Sequence, residues 1–283
     1  MFFIKLISYT PLSVLYLVSD FLFFISFYVV GYRKKLVRRN LKNSFPEKTK
    51  EELRKIERKF YKNLSDYAVE TLKLLTISKE ELAKRMVFKT PELPLHYAHQ
   101  NQSVLILSSH HFNWEWLLTA AGFNLPMPID FVYQKVNSEF FEKISLLGRT
   151  RFGAYPIERN QVARKIVARK KILRAIAMVA DQYPGQGEDK RFTAMFLNQE
   201  TVFFLGTNQV ALLTQYPVLY YQIKKIKRGY YETSVIEIAT PPYSKGSYSI
   251  VEKYIKVVEQ TIHADPSGWL WSHNRWKKRH IAK

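Results

Sequence analysis

Four short apolar runs alternate with stretches of helical period through the C-terminal two-thirds of the chain, and this alternation restricts the fold more than any other feature. The runs are SVLILSS (103–109), IDFVYQ (129–134), AIAMVAD (175–181) and VLYYQI (218–223). Their length and apolar character fit strands buried inside a sheet. Stretches near 113–122, 137–149, 160–171, 200–214 and 248–263 read as helices between or after them. Alternation of this kind predicts an α/β fold with a central, largely parallel sheet flanked by helices. Residues 226–239 read as a more solvated strand or hairpin near an edge. No internal repeat and no low-complexity linker interrupts the pattern.

The chain before residue 85 has a different texture. Pro11 to Val30 reads PLSVLYLVSDFLFFISFYVV, and GYRKKLVRR follows at once. Twenty such residues at ~1.5 Å each give ~30 Å, about one hydrocarbon thickness. The heavier positive flank is C-terminal, which places the rest of the chain on the cytoplasmic side of the membrane. A signal peptide fits poorly, because the basic flank is on the wrong side. Ser13, Ser19, Asp20 and Ser26 interrupt the run, so a helix lying in the interface stands beside one that spans. Residues 49–75 have helical period, with Leu53, Ile56, Phe60, Leu64, Ala68 and Leu72 on one face and Thr49 as a plausible N-cap. A short helix is expected near 78–85. The organisation predicted is a membrane-anchoring helix over 1–31, a basic helical arm over 32–84, and an α/β domain over 85–283.

Composition sets limits on function. There are no cysteines, so disulfides, thiolate nucleophiles and cysteine-ligated zinc are excluded. The net charge is +20, and the excess is clustered: residues 31–60 carry twelve Lys/Arg against four Glu, and residues 161–174 carry six with no acid. Anionic head groups, an acidic carrier protein or nucleic acid would all be attracted to such a surface. No zinc-finger, helix-turn-helix or RRM signature is present, and the apolar N-terminus argues against nucleic acid as partner.

Sites in open α/β sheets form beyond the carboxyl ends of strands. SVLILSS runs straight into His110-His111-Phe112-Asn113-Trp114-Glu115. A histidine at a strand end suits general-base work near neutral pH, and a carboxylate on its other ring nitrogen would fix the tautomer. His111 and Glu115 are four apart and would share a helix face. His110 and Glu115 can meet only if His110 remains in the loop while Glu115 lies in the first helical turn. Spacing leaves both pairings open, and a metal hydrolase built on His110, His111 and Glu115 would need a third ligand from elsewhere in the chain.

His110-x4-Glu115 within SSHHFNWEW resembles the H-x4-D/E motif of the lysophospholipid acyltransferase superfamily, in the branch of lauroyl and myristoyl acyltransferases that add the late acyl chains to lipid A. Further blocks follow in order: SFPEKTKEELRKIERKFYKNLSDYAVE, VYQKVNSEFFEKISLLGR, PIERN, VADQYP and WLWSHNRWK. The resemblance covers nearly the whole chain and assigns the base to His110, with Glu115 orienting it. It implies transfer of a fatty acyl chain from an acyl thioester, with acyl carrier protein as donor, to a hydroxyl of a lipid A precursor. No cofactor and no metal are implied. Lys135, Arg149 and Arg159 are the candidate cations for a phosphorylated lipid, and Asp181 is a candidate to line the site. His273, Arg275 and Trp276 are expected to pack structurally. The glycine-rich loop of phospholipid-type relatives is absent and FLNQETVFFLG (196–206) occupies its place, which leaves a phospholipid, glycolipid or aminolipid acceptor, and acyl-CoA as donor, as the alternative.

Overall fold

The computed structural model describes residues 2–136, 138–184 and 190–277. The helices are α1 (Phe2–Tyr9), α2 (Leu12–Phe24), α3 (Lys34–Ser44), α4 (Lys50–Lys73), α5 (Lys79–Arg85), α6 (Glu92–His99), α7 (Trp114–Asn124), α8 (Glu139–Arg149), α9 (Val162–Ala168), α10 (Gly206–Thr214) and α11 (Ser249–Ala264). The strands are β1 (Met86–Phe88), β2 (Val104–Ser108), β3 (Ile129–Tyr133), β4 (Tyr155–Glu158), β5 (Ala175–Val179), β6 (Arg191–Phe196), β7 (Gln199–Phe204), β8 (Val218–Lys227) and β9 (Tyr230–Ala239).

Seven strands form one sheet in the order β1-β9-β8-β2-β5-β3-β4, flanked by helices. Every neighbouring pair is parallel except the β8–β9 hairpin. The four apolar runs are β2, β3, β5 and β8, and β2 occupies the middle of the sheet with all five residues buried. Side chains alternate between faces, so Leu105, Leu107, Ile176 and Met178 enter one core, while Ile106, Ile129, Phe131 and Ala175 enter the other. The solvated stretch 226–239 falls at the end of β8 and in β9, and short β1 covers the outer edge of β9.

Two details differ from the sequence reading. Residues 200–214 do not form one helix: Gln199–Phe204 is β7, paired antiparallel with β6, and only Gly206–Thr214 is helical. The run Thr201-Val202-Phe203-Phe204 buries alternate residues, a period of two that suits its β-branched and aromatic side chains better than a helix does. The helix expected from 137 begins at Glu139; Asn137 itself lies outside the described residues.

The N-terminal helix continues from α2 through a π-helical turn at Ile25–Val29. Leu12–Val29 is long and apolar enough to cross a membrane. It runs antiparallel to α4: Tyr16 Oη donates to Glu70 Oε1 at 2.8 Å, Ser19 Oγ to Asp66 Oδ1 at 2.7 Å, and the Phe27 ring lies against Tyr61. Two of the residues that interrupt the apolar run, Ser19 and Asp20, thus face protein. Asp20 is held by Lys62 and Arg228, both at 2.6 Å. Leu17, Phe21, Phe24 and Val29 cover the opposite, exposed face. Phe23, Val37, Leu41, Phe45 and Phe60 share one core with sheet residues, so α2, α3 and α4 pack directly on the α/β layers.

Candidate active site

The site begins where β2 ends. Ser108 Oγ donates to the Tyr221 carbonyl at 2.9 Å, and Ser109 Oγ lies 2.9 Å from the Tyr220 hydroxyl, which fixes the strand end against β8. The chain then bends sharply at Phe112, whose φ is 49°. A left-handed conformation costs a bulky residue about 1–3 kcal/mol. Here the Phe112 N–H donates to the Gly268 carbonyl at 2.8 Å, and the Phe112 ring packs beside Tyr231. Asn113 caps α7, its side chain accepting from the Trp116 N–H at 2.9 Å. His110 therefore lies in the loop and Glu115 in the first turn, the bent strand-loop-helix that the resemblance implied, but the bend does not pair the two.

The carboxylate on His110 is Asp181, from the loop after neighbouring strand β5. Asp181 Oδ1 lies 2.6 Å from His110 Nδ1, and Oδ2 accepts from the His110 N–H at 2.9 Å and from Trp269 Nε1 at 2.7 Å. Burial pushes the Asp181 acid up, but the adjacent imidazole and these hydrogen bonds outweigh it and bring it down to about 2. An ionised carboxylate only accepts, so Nδ1 carries a proton, and in the neutral imidazole Nε2 is then the acceptor nitrogen. The Trp114 ring stands edge-on to the imidazole with centroids 4.9 Å apart, and is itself packed on Tyr67.

Glu115, the partner expected for His110, takes Arg149 instead. Arg149 Nε and Nη2 donate to its two carboxylate oxygens at 2.7 and 2.5 Å, a bidentate pair on a glutamate that is 4% exposed. Arg149 ends α8, which packs beside α7, and its planar fork suits both oxygens at once. Glu115 and Arg149 nonetheless line the same cavity as His110.

His111 is a packing residue. It is 1% exposed, and burial lowers its basicity to about 4, so it stays neutral at physiological pH. It bridges Trp269, and a Cβ placed on Gly268 would lie 2.6 Å from its Nε2. Only glycine allows that approach.

The cavity in front of His110 has a volume of about 870 Å³, in the upper range for small-molecule sites. Apolar side chains line most of it, and Gln134, Lys135, Glu142, Arg149 and Arg159 are among the polar residues that complete its lining. Arg159 lies over the Phe204 ring at 4.6 Å, and its Nη1 donates to Gln134 at 3.2 Å. Lys135 is exposed. The three cations expected from sequence are therefore brought together, whereas Asp181 sits behind His110 and not on the cavity wall.

A histidine oriented by a buried carboxylate thus lines an apolar cavity that also takes in Lys135, Arg149 and Arg159. Residues 1–278 match the family model for bacterial lipid A biosynthesis acyltransferases. The chain belongs to that family. It is similar to the lipid A biosynthesis palmitoleoyltransferase of Escherichia coli K12, 24% identical over 254 residues that cover 89% of this chain and 81% of the relative. It is also similar to the lipid A biosynthesis lauroyltransferase of the same organism, 23% identical over 249 residues covering 87% and 80%. A lipid A biosynthesis acyltransferase of Shigella flexneri matches at 24% over 254 residues, covering 89% of this chain and 81% of that relative. The protein is thus an O-acyltransferase.

In this acyltransferase the C-terminal block does more than pack. Leu270 N–H donates to the His110 carbonyl at 3.1 Å, so residues 268–270 brace the His110–Phe112 bend while Trp269 holds Asp181. His273 accepts from the Tyr183 N–H at 3.1 Å, Trp276 donates to Thr201 at 2.8 Å, and buried Arg275 lies over the Phe203 ring. Trp269 stands in the WLWSHNRWK block, but nothing in its spacing ties it to Asp181. Tyr254 of α11 carries no sequence signal. Its hydroxyl donates to the Ser108 carbonyl at 2.8 Å and accepts from the Ala180 N–H at 3.2 Å, bolting together the two strand ends that carry His110 and Asp181.

Proposed function

We propose that this enzyme, anchored at the cytoplasmic face of the inner membrane, transfers a fatty acyl chain from acyl carrier protein to a hydroxyl of a lipid A precursor. The observation that carries the reading is His110, with Nδ1 held by Asp181 and no hydrogen-bond partner on Nε2 among the described residues, on the wall of an apolar cavity that Lys135, Arg149 and Arg159 also line. His110 Nε2 takes the acceptor hydroxyl proton as the oxygen attacks the thioester carbonyl. The C–O bond forms, the C–S bond breaks, and the imidazolium returns its proton to the departing thiolate. Asp181 stabilises that imidazolium. Glu115 acts one step away, holding Arg149 on the cavity wall where an acceptor phosphate is neutralised. The relatives' names, which specify lipid A, support the acceptor. The +20 charge supports docking of an acidic carrier, and the Leu12–Val29 helix with its basic C-terminal flank supports the location.

Mass spectrometry of lipid A from cells lacking the gene tests the acceptor: a species short by one acyl chain is expected, and unchanged lipid A sinks the reading. His110→Ala should fail to restore the missing chain, with transfer lowered by about 10²–10⁴-fold in vitro. Full activity of the His110→Ala enzyme, together with loss on His111→Ala, would reverse the choice of base.

A further inference from the structure

The cavity passes through the sheet. β5 follows β2 out to Ser108↔Val179, and β3 follows β4 out to Tyr133↔Glu158, but β3 and β5 part after Phe131↔Ala177. Beyond that pair the sheet is split at its carboxyl edge, and the cavity takes its walls from both sides of the split. On one face it is lined by Ile106, Phe131 and the α7 residues Leu117, Leu118 and Ala121. On the other it is lined by Val132 and Met178, with Ala163 of α9 and Val210 and Leu213 of α10. His110 follows directly from the end of β2, at the edge where the two faces meet.

The two lobes differ in enclosure. Beneath α7 the walls are buried, with Ile106, Leu117, Ala121 and Phe131 all at 5% exposure or less. Between α9 and α10 the inner walls Met178 and Val210 are buried at 6%, but the outer ones open to solvent: Leu213 is 50% exposed and Ala163 is exposed. We propose that the site holds two hydrocarbon chains at once, the transferred acyl chain in the closed lobe beneath α7 and a chain already borne by the acceptor lipid in the open lobe between α9 and α10. The inference rests on the acyl-transfer reading. It adds that the acceptor is recognised by a chain of its own as well as by its head group. A closed, dry lobe measures length, because each methylene left outside costs roughly fourfold in binding. An open lobe admits a chain sideways from a bilayer and cannot measure it. A head-group-only acceptor would leave the second apolar lobe without an occupant.

The test uses the full-length enzyme in detergent micelles, a ladder of acyl thioesters, and three variants. Ala121→Leu fills the closed lobe and should shift the preferred donor to a shorter chain, by about two carbons, leaving the acceptor KM in place. Leu118→Ala, which enlarges the same lobe, should shift it longer, so the assignment survives if the first variant folds poorly. Ala163→Trp, on an exposed position, should raise the acceptor KM by about tenfold with donor preference unchanged. Titration with a fluorescent dodecanoate should find two chains per wild-type protein and one in Ala163→Trp. Two bound chains without transfer to lipid A precursors would sink the proposed acceptor and leave the two-lobe site standing. A single bound chain in the wild type, or an Ala163→Trp enzyme that changes donor length and not acceptor KM, overturns it.

Discussion

Asp181 and Glu70 are both buried carboxylates that accept three hydrogen bonds, and they have been shifted in opposite directions. Asp181 is brought down to about 2 in spite of its burial. Glu70 is raised, because burial outweighs Tyr231, Asn113 and Tyr16, whose donors lie 2.8, 2.6 and 2.8 Å away. The difference is in the partners. Every donor to Glu70 is neutral, so no hydrogen-bonded cation rewards its ionisation. Asp181 faces an imidazole able to become a cation. Glu70 therefore serves as a knot, tying α2, α4, the N-cap of α7 and β9 at one point. Asp181 instead orients an imidazole that lines the cavity. A buried, fully hydrogen-bonded carboxylate is by itself no mark of a site; what sets Asp181 apart is that its partner lines a cavity.

The sharpest break of this comparison is Asp181→Asn. The amide keeps the shape but no longer stabilises an imidazolium, and it can present an N–H to Nδ1 and so favour the wrong tautomer. Turnover should fall by about 10³–10⁴-fold with an unchanged far-ultraviolet spectrum. An Asp181→Asn enzyme within tenfold of wild type would remove Asp181 from the chemistry and return Glu115 to it. The matching change at the knot, Glu70→Leu, should act on the fold. It strands the hydroxyls of Tyr16 and Tyr231 and the Asn113 amide in a buried site, at a cost of about 3–5 kcal/mol in chemical denaturation. Turnover per folded molecule should change little.

How much of this is legible in the sequence follows the same division. The four apolar runs are β2, β3, β5 and β8 of the seven-stranded sheet, because burial on both faces leaves a contiguous signature in sequence. The left-handed bend at Phe112 has no signal in the sequence, since a bulky residue at positive φ is held there by contacts with Gly268 and Tyr231. The partner of His110 is not legible from spacing, since Asp181 is 71 residues away and reaches it only because β5 lies beside β2 in the sheet. Glu115 is closer in sequence, but α8 delivers Arg149 to it, and that meeting of two helices has no local signal. Glu70 lies inside a strongly periodic helix and reads as one more polar residue on it. Strand β7 reads as part of a helix because a run of six residues carries too few repeats to separate a period of two from one of 3.6.

Acid titration sharpens the contrast, since the two carboxylates should pull stability in opposite directions. Asp181 is ionised in the fold down to about 2, below the ordinary 3.8, so the unfolded chain takes up the proton first. Its contribution is present above pH ~4 and is lost as pH falls toward 2, on the order of 2 kcal/mol. Glu70 is raised above 4.5, so the folded chain takes up the proton first. Its contribution is present below that ordinary value and is lost as pH rises through the folded one. Thermal unfolding of Asp181→Asn between pH 5 and 3 should therefore fall less steeply than wild type, and that of Glu70→Gln more steeply. Parallel curves for the two variants would remove the distinction drawn between the clusters.

The smallest effect belongs to Tyr254→Phe, and it asks whether the His110–Asp181 distance depends on more than the pair itself. The variant keeps the ring and its packing, and removes only the hydroxyl that links the Ser108 carbonyl to the Ala180 N–H. Losing one buried bridge of this kind costs about 1 kcal/mol of stability. If strand alignment sets the pair, turnover should fall about tenfold as well, since misplacement far short of an ångström weakens a charge-assisted hydrogen bond. The pattern should be a lower kcat with KM for both substrates unchanged, because no cavity wall has moved. A stability loss with kcat intact would mean that Trp269 and the His110 backbone N–H hold Asp181 without help from α11.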